Sequence, residues 1–339
     1  MNMLFIFSFV VLISFLFTML IINYALKKNI LDVPNERSSH SISTPRGGGL
    51  SIVFIFLFTI AISDFNSTDI VFAIIGAGIL VATVGFFDDQ GHIAAKWRLL
   101  SHFMAAFWVM FYLGAINELQ FSDHNIYLGW VGIVICAFSL VWLLNLFNFM
   151  DGIDGIAASE TIFVSSAGAY FSWISGFESQ TFISVTLAAS TLGFLFLNWH
   201  PAKIFMGDVG SGFLGLMVGI IAYASILEGD SVWVWVVLLG VFIVDSGITL
   251  FRRIFNGDKW YEAHCSHAYQ HAARKWGHKR VTIATILINI FWLFPIAYLV
   301  YFYPKIGGYL ALSAYVPLII LALKFQAGTA VVGNNDTEN

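Results

Sequence analysis

Residues 3–28 read MLFIFSFVVLISFLFTMLIINYALKK, and no charge interrupts the run before Lys27 and Lys28. A helix needs about 20 apolar residues to cross a bilayer, so this stretch is long enough to span one. No basic residue precedes it, and its apolar length exceeds the ~7–15 residues of a signal-peptide core. It is therefore expected to stay as a helix rather than be cleaved. The rest of the chain has the same character. Of 339 residues, 59% are hydrophobic and 11% charged, against about 25% charged in an ordinary soluble domain. Six prolines and so few polar residues exclude a disordered, collagen-like or nucleic-acid-binding chain. Cys136 and Cys265 offer no disulfide framework.

Further apolar runs lie at 49–64, 70–87, 99–116, 128–147, 156–175, 181–198, 212–227, 232–251, 281–303 and 309–324, making eleven with the first, taken as 3–25. The expected fold class is all-α, a polytopic membrane protein of about eleven transmembrane helices. A single domain is expected over 1–332, with a polar tail at 333–339. With loops alternating sides, fifteen of the sixteen Lys and Arg fall on one side and only Lys305 on the other. The net charge of −4 says little, but this distribution places the N-terminus outside and the C-terminus in the cytoplasm. The opposite loops are thin and acidic, with Asp64, Asp69, Glu118, Asp123, Glu178, Glu228 and Asp230.

The polar motifs share the basic side. They are DVPNERSSHSISTPRGGG (32–49), Asp88-Asp89 leading to Lys96 and Arg98, NLFNFMDGIDG (145–155), NWHPAKIFMGDVGSG (198–212) and HCSHAYQHAARKWGHKR (264–280). Any one carboxylate at a helix end can be a cap or balance a nearby lysine. Five of them, Asp88, Asp89, Asp151, Asp154 and Asp208, repel one another unless a cation or basic residue joins them. Hard oxygen ligands beside a phosphate substrate suit Mg2+ and metal-assisted phosphoryl transfer. The glycines of GDVGSG either offer backbone N–H groups to an anion at a helix start or form a plain turn. Gly47–Gly49 either joins that role or permits close helix packing. His264, His267 and His271, at i, i+3 and i+7, fall on one face if the segment is helical. Zinc binding, solvated or packed histidines, and phosphate or sugar contact all remain open for them. Glu160 and Asp245 are the ionisable residues inside spans. Because the other acids crowd one membrane surface rather than the midplane, an interfacial enzyme is favoured over an ion-coupled transporter.

In this order the motifs resemble the polyprenyl-phosphate N-acetylhexosamine-1-phosphate transferases, related to phospho-MurNAc-pentapeptide transferase. The likeness rests on D-x-P-N-x-R with a following His and a Gly-Gly pair, the Asp-Asp pair with its downstream Lys, N-x-x-N-x-x-D-G-I-D-G, and P-A-x-x-F-M-G-D-x-G-S. The His-x-x-His loop looks most like the branch that starts O-antigen or similar surface glycans. The resemblance implies transfer of a sugar 1-phosphate from a UDP-N-acetylhexosamine to undecaprenyl phosphate at the bacterial inner membrane, releasing UMP. It implies Mg2+, with Mn2+ as a substitute ion, and is compatible with a two-fold homodimer; no nucleic-acid partner is expected. Carried over, Asp88 and Asp89 match the essential catalytic pair, and Asp208 and Asn148 the metal-binding positions. Phe205 matches a residue that stacks on uracil, Asp151 and Asp154 the nucleotide-side acids, and Lys96 a phosphate-side lysine. His264 and His267 lie in the loop expected to reach the sugar. Arg37-Ser38-Ser39-His40 departs from the Arg-Lys pair of many relatives, and the last loop lacks the family's denser histidine runs, so the donor among UDP-GlcNAc, UDP-FucNAc and UDP-QuiNAc is not fixed. A transporter or lipid flippase is the alternative of a different class, and a non-catalytic scaffold for glycan assembly is a third reading.

Overall fold

A computed structural model describes residues 3–34, 42–65, 68–91, 93–121, 124–258 and 265–329. The chain order is α1 (Met3–Lys28), β1 (Leu31–Asp32), β2 (Thr44–Pro45), α2 (Gly49–Ile62), α3 (Thr68–Gly91), α4 (Ala95–Leu113), β3 (Glu118–Phe121), β4 (His124–Tyr127), α5 (Trp130–Met150), α6 (Ile156–Ser175), α7 (Glu178–Asn198) and α8 (Asp208–Leu227). It continues through α9 (Val232–Leu238), α10 (Gly240–Phe255), α11 (Ala268–Trp276), α12 (His278–Ile288), a π-helical turn at Asn289–Leu293, α13 (Phe294–Phe302), a 3-10 turn at Pro304–Ile306 and α14 (Gly307–Lys324). Each apolar run is helical over most of its length. The fold is a polytopic helical membrane protein, and two short antiparallel ribbons, β1–β2 and β3–β4, qualify the all-α expectation.

Among the described residues, seven helical segments are long and apolar enough to cross a membrane, or eight if the bent α9–α10 pair counts as one. The run expected as a single span at 232–251 is broken, because α9 and α10 meet at 75°. Gly240 begins α10 where an added Cβ would lie 3.2 Å from Tyr315 and 3.3 Å from Leu293, so the bend sits where α10 packs closely on its neighbours. By contrast, α12 and α13 run on as one rod through the π turn. Pro295, in the first turn of α13, has no N–H for the helical ladder, and the turn widens just before it. There the Asn289 amide donates to the buried Glu160 carboxyl at 2.6 Å.

The core forms around α8, which is almost wholly buried and packs on α2, α3, α5, α6 and α7. Glycines let α5 come close to it. Gly212, Gly215 and Gly219 lie on one face of α8, and Cβ atoms at the last two would lie 2.9 Å from Leu144 Cα and 2.9 Å from Leu140 Cδ2 of α5. Without side chains here the two backbones close up and gain dispersion contact, the main source of helix cohesion where lipid removes the hydrophobic drive. The stripe is thus used within the chain. α1 crosses α7 in the same way at Gly193, where an added Cβ would lie 2.6 Å from the Ser14 side chain.

Candidate active site

The ends of α2, α3, α4, α5 and α8 converge, and side chains from separate loops bond to one another there. Arg46 is set by the β1–β2 ribbon, in which Asp32 pairs with Thr44. From the other side, Phe205 N–H donates to Pro45 O at 2.8 Å and Gly48 N–H to Phe205 O at 2.9 Å, so the 198–212 loop clamps the start of α2. Gly49 lies directly against Gly210, a contact no larger residue allows at either position, which favours the packing role of the Gly47–Gly49 run.

From this seat Arg46 reaches Asp89 Oδ1 at 2.7 Å and Asp208 Oδ1 at 3.4 Å. Arg98, in the first turn of α4, donates to Asp88 and lies 3.6 Å from Asp208 Oδ2. The Ile93 N–H donates to Asp88 Oδ1 at 2.6 Å. Asp88 and Asp208 lie within hydrogen-bonding reach of each other. Two carboxyls so placed hold either a shared proton or a cation between them. A small pocket opens onto both, lined also by Arg98, His102, Asn145 and Asn148. Asn148 Oδ1 accepts from Ser211 Oγ at 3.0 Å, which fixes the amide toward α8. Asp88, Asp208 and Asn148 form a hard-oxygen set that suits a small divalent cation.

Asp89 has a different position from its neighbour. Its Oδ1 accepts the Asp208 N–H at 2.9 Å and its Oδ2 the Val209 N–H at 3.1 Å, so a residue of α3 caps the N-terminus of α8. The next two N–H groups, of Gly210 and Ser211, donate to Gly207 O at 3.0 and 3.1 Å. The first turn of α8 is therefore committed to protein acceptors, which favours the turn reading of GDVGSG over the anion cradle. Gly207 has φ +77° and an added Cβ would lie 2.5 Å from Asp89 Oδ2, so glycine meets both demands.

Asp151 follows α5 directly, and burial together with the Asp208 charge pushes its carboxyl well above the ordinary carboxylate range. Asp154 turns toward two imidazoles, with its Oδ2 2.6 Å from His200 Nδ1 and its Oδ1 3.3 Å from His278 Nδ1. Burial raises its carboxyl, but the facing imidazoles of His278 and His200 outweigh that and hold it below its usual value. Phe205 is half-buried beside Met206, and Lys96 is exposed with its Nζ 5.5 Å from the Trp97 ring.

His267 is buried. Its Nδ1 is 3.2 Å from Asp245 Oδ1, and Asp245 also accepts the Ala268 and Tyr269 N–H groups at 2.9 Å each. The helix begins at Ala268 with His267 as its N-cap, and the His271 N–H donates to His267 O at 3.1 Å one turn on. Asp245, from α10, is the cap of α11, just as Asp89 is of α8. Tyr269 Oη donates to Phe149 O at 2.9 Å and ties α11 to the last turn of α5. His264, Arg37 and His40 lie outside the described residues, as does the 333–339 tail.

The structure thus gathers Asp88, Asp89, Asn148, Asp151 and Asp208 around Arg46 and Arg98. In the sequence Arg46 and Arg98 add only to the count of bases on one side, and no motif marks His102, which lines the pocket. Arg98 follows Lys96 by two residues, so a helix beginning at Ala95 sends the two side chains in different directions.

Residues 71–226 match the model of glycosyl transferase family 4. It is 32% identical over 238 residues to a probable undecaprenyl-phosphate N-acetylglucosaminyl 1-phosphate transferase of Bacillus subtilis (strain 168), an alignment covering 68% of this chain and 66% of the relative. A phospho-N-acetylmuramoyl-pentapeptide-transferase of Kosmotoga olearia is 32% identical over 204 residues, covering 56% and 62%. The same-named protein of Bacillus pumilus (strain SAFR-032) is 31% identical over 226 residues, covering 60% and 66%. The chain spans slightly less than two thirds of the length of each.

Proposed function

We propose that this protein is a phosphotransferase that moves an N-acetylhexosamine 1-phosphate from a UDP-sugar to undecaprenyl phosphate. In the membrane it would have eleven crossings with the site at the cytoplasmic face, as the distribution of Lys and Arg supports. The observation that carries the reading is the joining of Asp88, Asp208 and Asn148 in one pocket with Arg98 bonded across the two acids. Relatives named for undecaprenyl-phosphate and pentapeptide sugar-phosphate transfer agree with it.

The donor set fits Mg2+, because two facing carboxylates with an amide oxygen are hard ligands whose repulsion a divalent ion relieves. Asp208 and Asn148, with Asp88 beside them, would hold it, and when bound it supplies charge neutralisation to the diphosphate. In the reaction an oxygen of the lipid phosphate attacks the sugar-bearing phosphorus of the donor. The bond from that phosphorus to the bridging oxygen breaks, and the electron pair leaves on UMP. A lipid phosphate with a last pKa of about 6 is largely ionised at neutral pH, so little general-base help is needed and positioning dominates. Arg98 and Arg46 meet the phosphates as fixed guanidinium forks. Asp89, with both oxygens engaged by α8 and Arg46, acts through Asp208 by holding it, which favours direct attack over an aspartyl-phosphate. Phe205 and Asp151 belong on the nucleotide side, and the 264–280 loop on the sugar side.

The test is UMP release by purified protein supplied with undecaprenyl phosphate, Mg2+ and UDP-GlcNAc, UDP-FucNAc or UDP-QuiNAc in turn. Release with one donor identifies the sugar and tests an initiating role in O-antigen or another surface polysaccharide. No release from any donor, with lipid or sugar crossing liposomes instead, replaces the enzyme by a transporter.

A further inference from the structure

We infer that Asp154, His200 and His278 form a second metal site, one that takes a borderline ion such as Zn2+. The three come from different parts of the chain: Asp154 between α5 and α6, His200 between α7 and α8, and His278 at the start of α12. Their ligand atoms lie within 4.8 Å of one another. Both imidazoles present Nδ1 to the carboxylate, one to each oxygen, with ring centroids 5.7 Å apart and planes inclined at 61°.

Ligands bound to zinc at about 2.0–2.2 Å in a tetrahedron lie roughly 3.3–3.6 Å from each other. The Asp154–His278 distance of 3.3 Å is already there. The Asp154–His200 contact of 2.6 Å is a hydrogen bond, which opens by under about 1 Å when a metal replaces its proton. His278 Nδ1 is buried and faces Asp154 Oδ1 at 3.3 Å without good hydrogen-bond geometry, a spacing that suits two ligands of one ion. The His200 side chain is 42% exposed and leaves one direction open for entry and for a water ligand.

The site is held in shape without metal. Thr282 Oγ1 donates to Asp154 O at 2.9 Å, and the Ala202 N–H lies 3.3 Å from Asp154 Oδ2. Asn198 accepts the Gly155 N–H at 3.1 Å and donates to Ile204 O at 2.9 Å, fixing the two loops against each other. Two imidazole nitrogens with the Asp154 carboxylate, whose two oxygens face one imidazole each, select zinc-like ions over Mg2+, which prefers the all-oxygen set around Asp208. The ion clamps three loops together. The inference does not depend on the transferase reading.

The test uses the full chain in detergent, stripped with EDTA and kept in excess Mg2+ so that the oxygen site is filled. Titration with Co2+ should give the visible spectrum of a four-coordinate ion at one equivalent per chain, displaced by Zn2+. Zn2+ should also raise the unfolding temperature, and His200→Ala should weaken Co2+ binding at least about tenfold. No saturable spectrum in the wild type, or equal affinity in His200→Ala, overturns the site. X-ray absorption of the Zn2+-loaded wild type gives a reading that does not depend on the variant folding: two imidazoles in the shell uphold the site, and oxygen ligands alone refute it.

Discussion

Asp89 in α3 caps helix α8 at Asp208: one carboxylate oxygen takes the Asp208 N–H at 2.9 Å, and the other takes the next N–H along. The carboxylate that orients α8 therefore comes from the motif's own acid pair, and the side chain it orients is the proposed metal ligand. Loss of an N-cap costs about 0.5–2 kcal/mol, and Asp89 also carries the ion pair with Arg46. Asp89→Ala is expected to lower the unfolding temperature as well as turnover. Asp88→Asn, which leaves the cap intact, should lower turnover with a smaller loss of stability. Thermal unfolding and UMP release measured on both variants check this, and equal stability losses would refute the division of roles.

Arg98 bonds to Asp88 and faces Asp208, whereas Lys96 is exposed beside Trp97. Arg98→Ala should therefore reduce kcat/KM more than Lys96→Ala does, by about tenfold or more. Arg98→Lys should recover part of the loss, because a single nitrogen, Nη1, makes both carboxylate contacts. The ranking reverses if the lysine is the phosphate contact.

Removal of divalent ions with EDTA should abolish UMP release, and Mg2+ should restore it. Asp208→Asn is expected to raise the Mg2+ concentration for half-maximal rate by about tenfold or more. A Mg2+ titration of the two proteins at saturating donor measures this, and an unchanged Mg2+ requirement removes Asp208 from the ligand set.

His267 is buried against Asp245 at the cap of α11, and α11 is tied to the last turn of α5 through Tyr269. His267→Ala should lower turnover together with the unfolding temperature, since it removes packing and a cap neighbour at once. His264→Ala, if His264 touches the sugar, should change the KM for the donor with little change in stability. Kinetics and melting curves on the pair separate the two effects.

Gly49 and Gly210 touch backbone to backbone where α2 meets α8. Gly210→Val should destabilise by at least about 1–3 kcal/mol through overpacking, seen as a lower unfolding temperature or loss of folded protein. Gly91→Ala, where an added Cβ meets nothing within 4 Å, is the control.

Much of this protein was legible in one dimension. The length and apolarity of each run, with the clustering of polar motifs between alternate runs, were enough for a helical membrane protein whose loops meet at one site. Hydrophobic length is a local property, and a helix satisfies its own backbone in lipid, so neither needs tertiary context. The motif order likewise brought out the acids at Asp88, Asp89 and Asp208. What tertiary structure alone decided was the partner of each charge. Arg46 meets Asp208 across 162 residues of sequence, Asp89 caps a helix that starts 119 residues later, and His267 answers to an aspartate in another helix. Such pairings depend on how each helix is rotated and how closely its glycines let it approach. Two adjacent aspartates with the same local signature thus end with different work, Asp88 facing the pocket and Asp89 holding the helix that completes it.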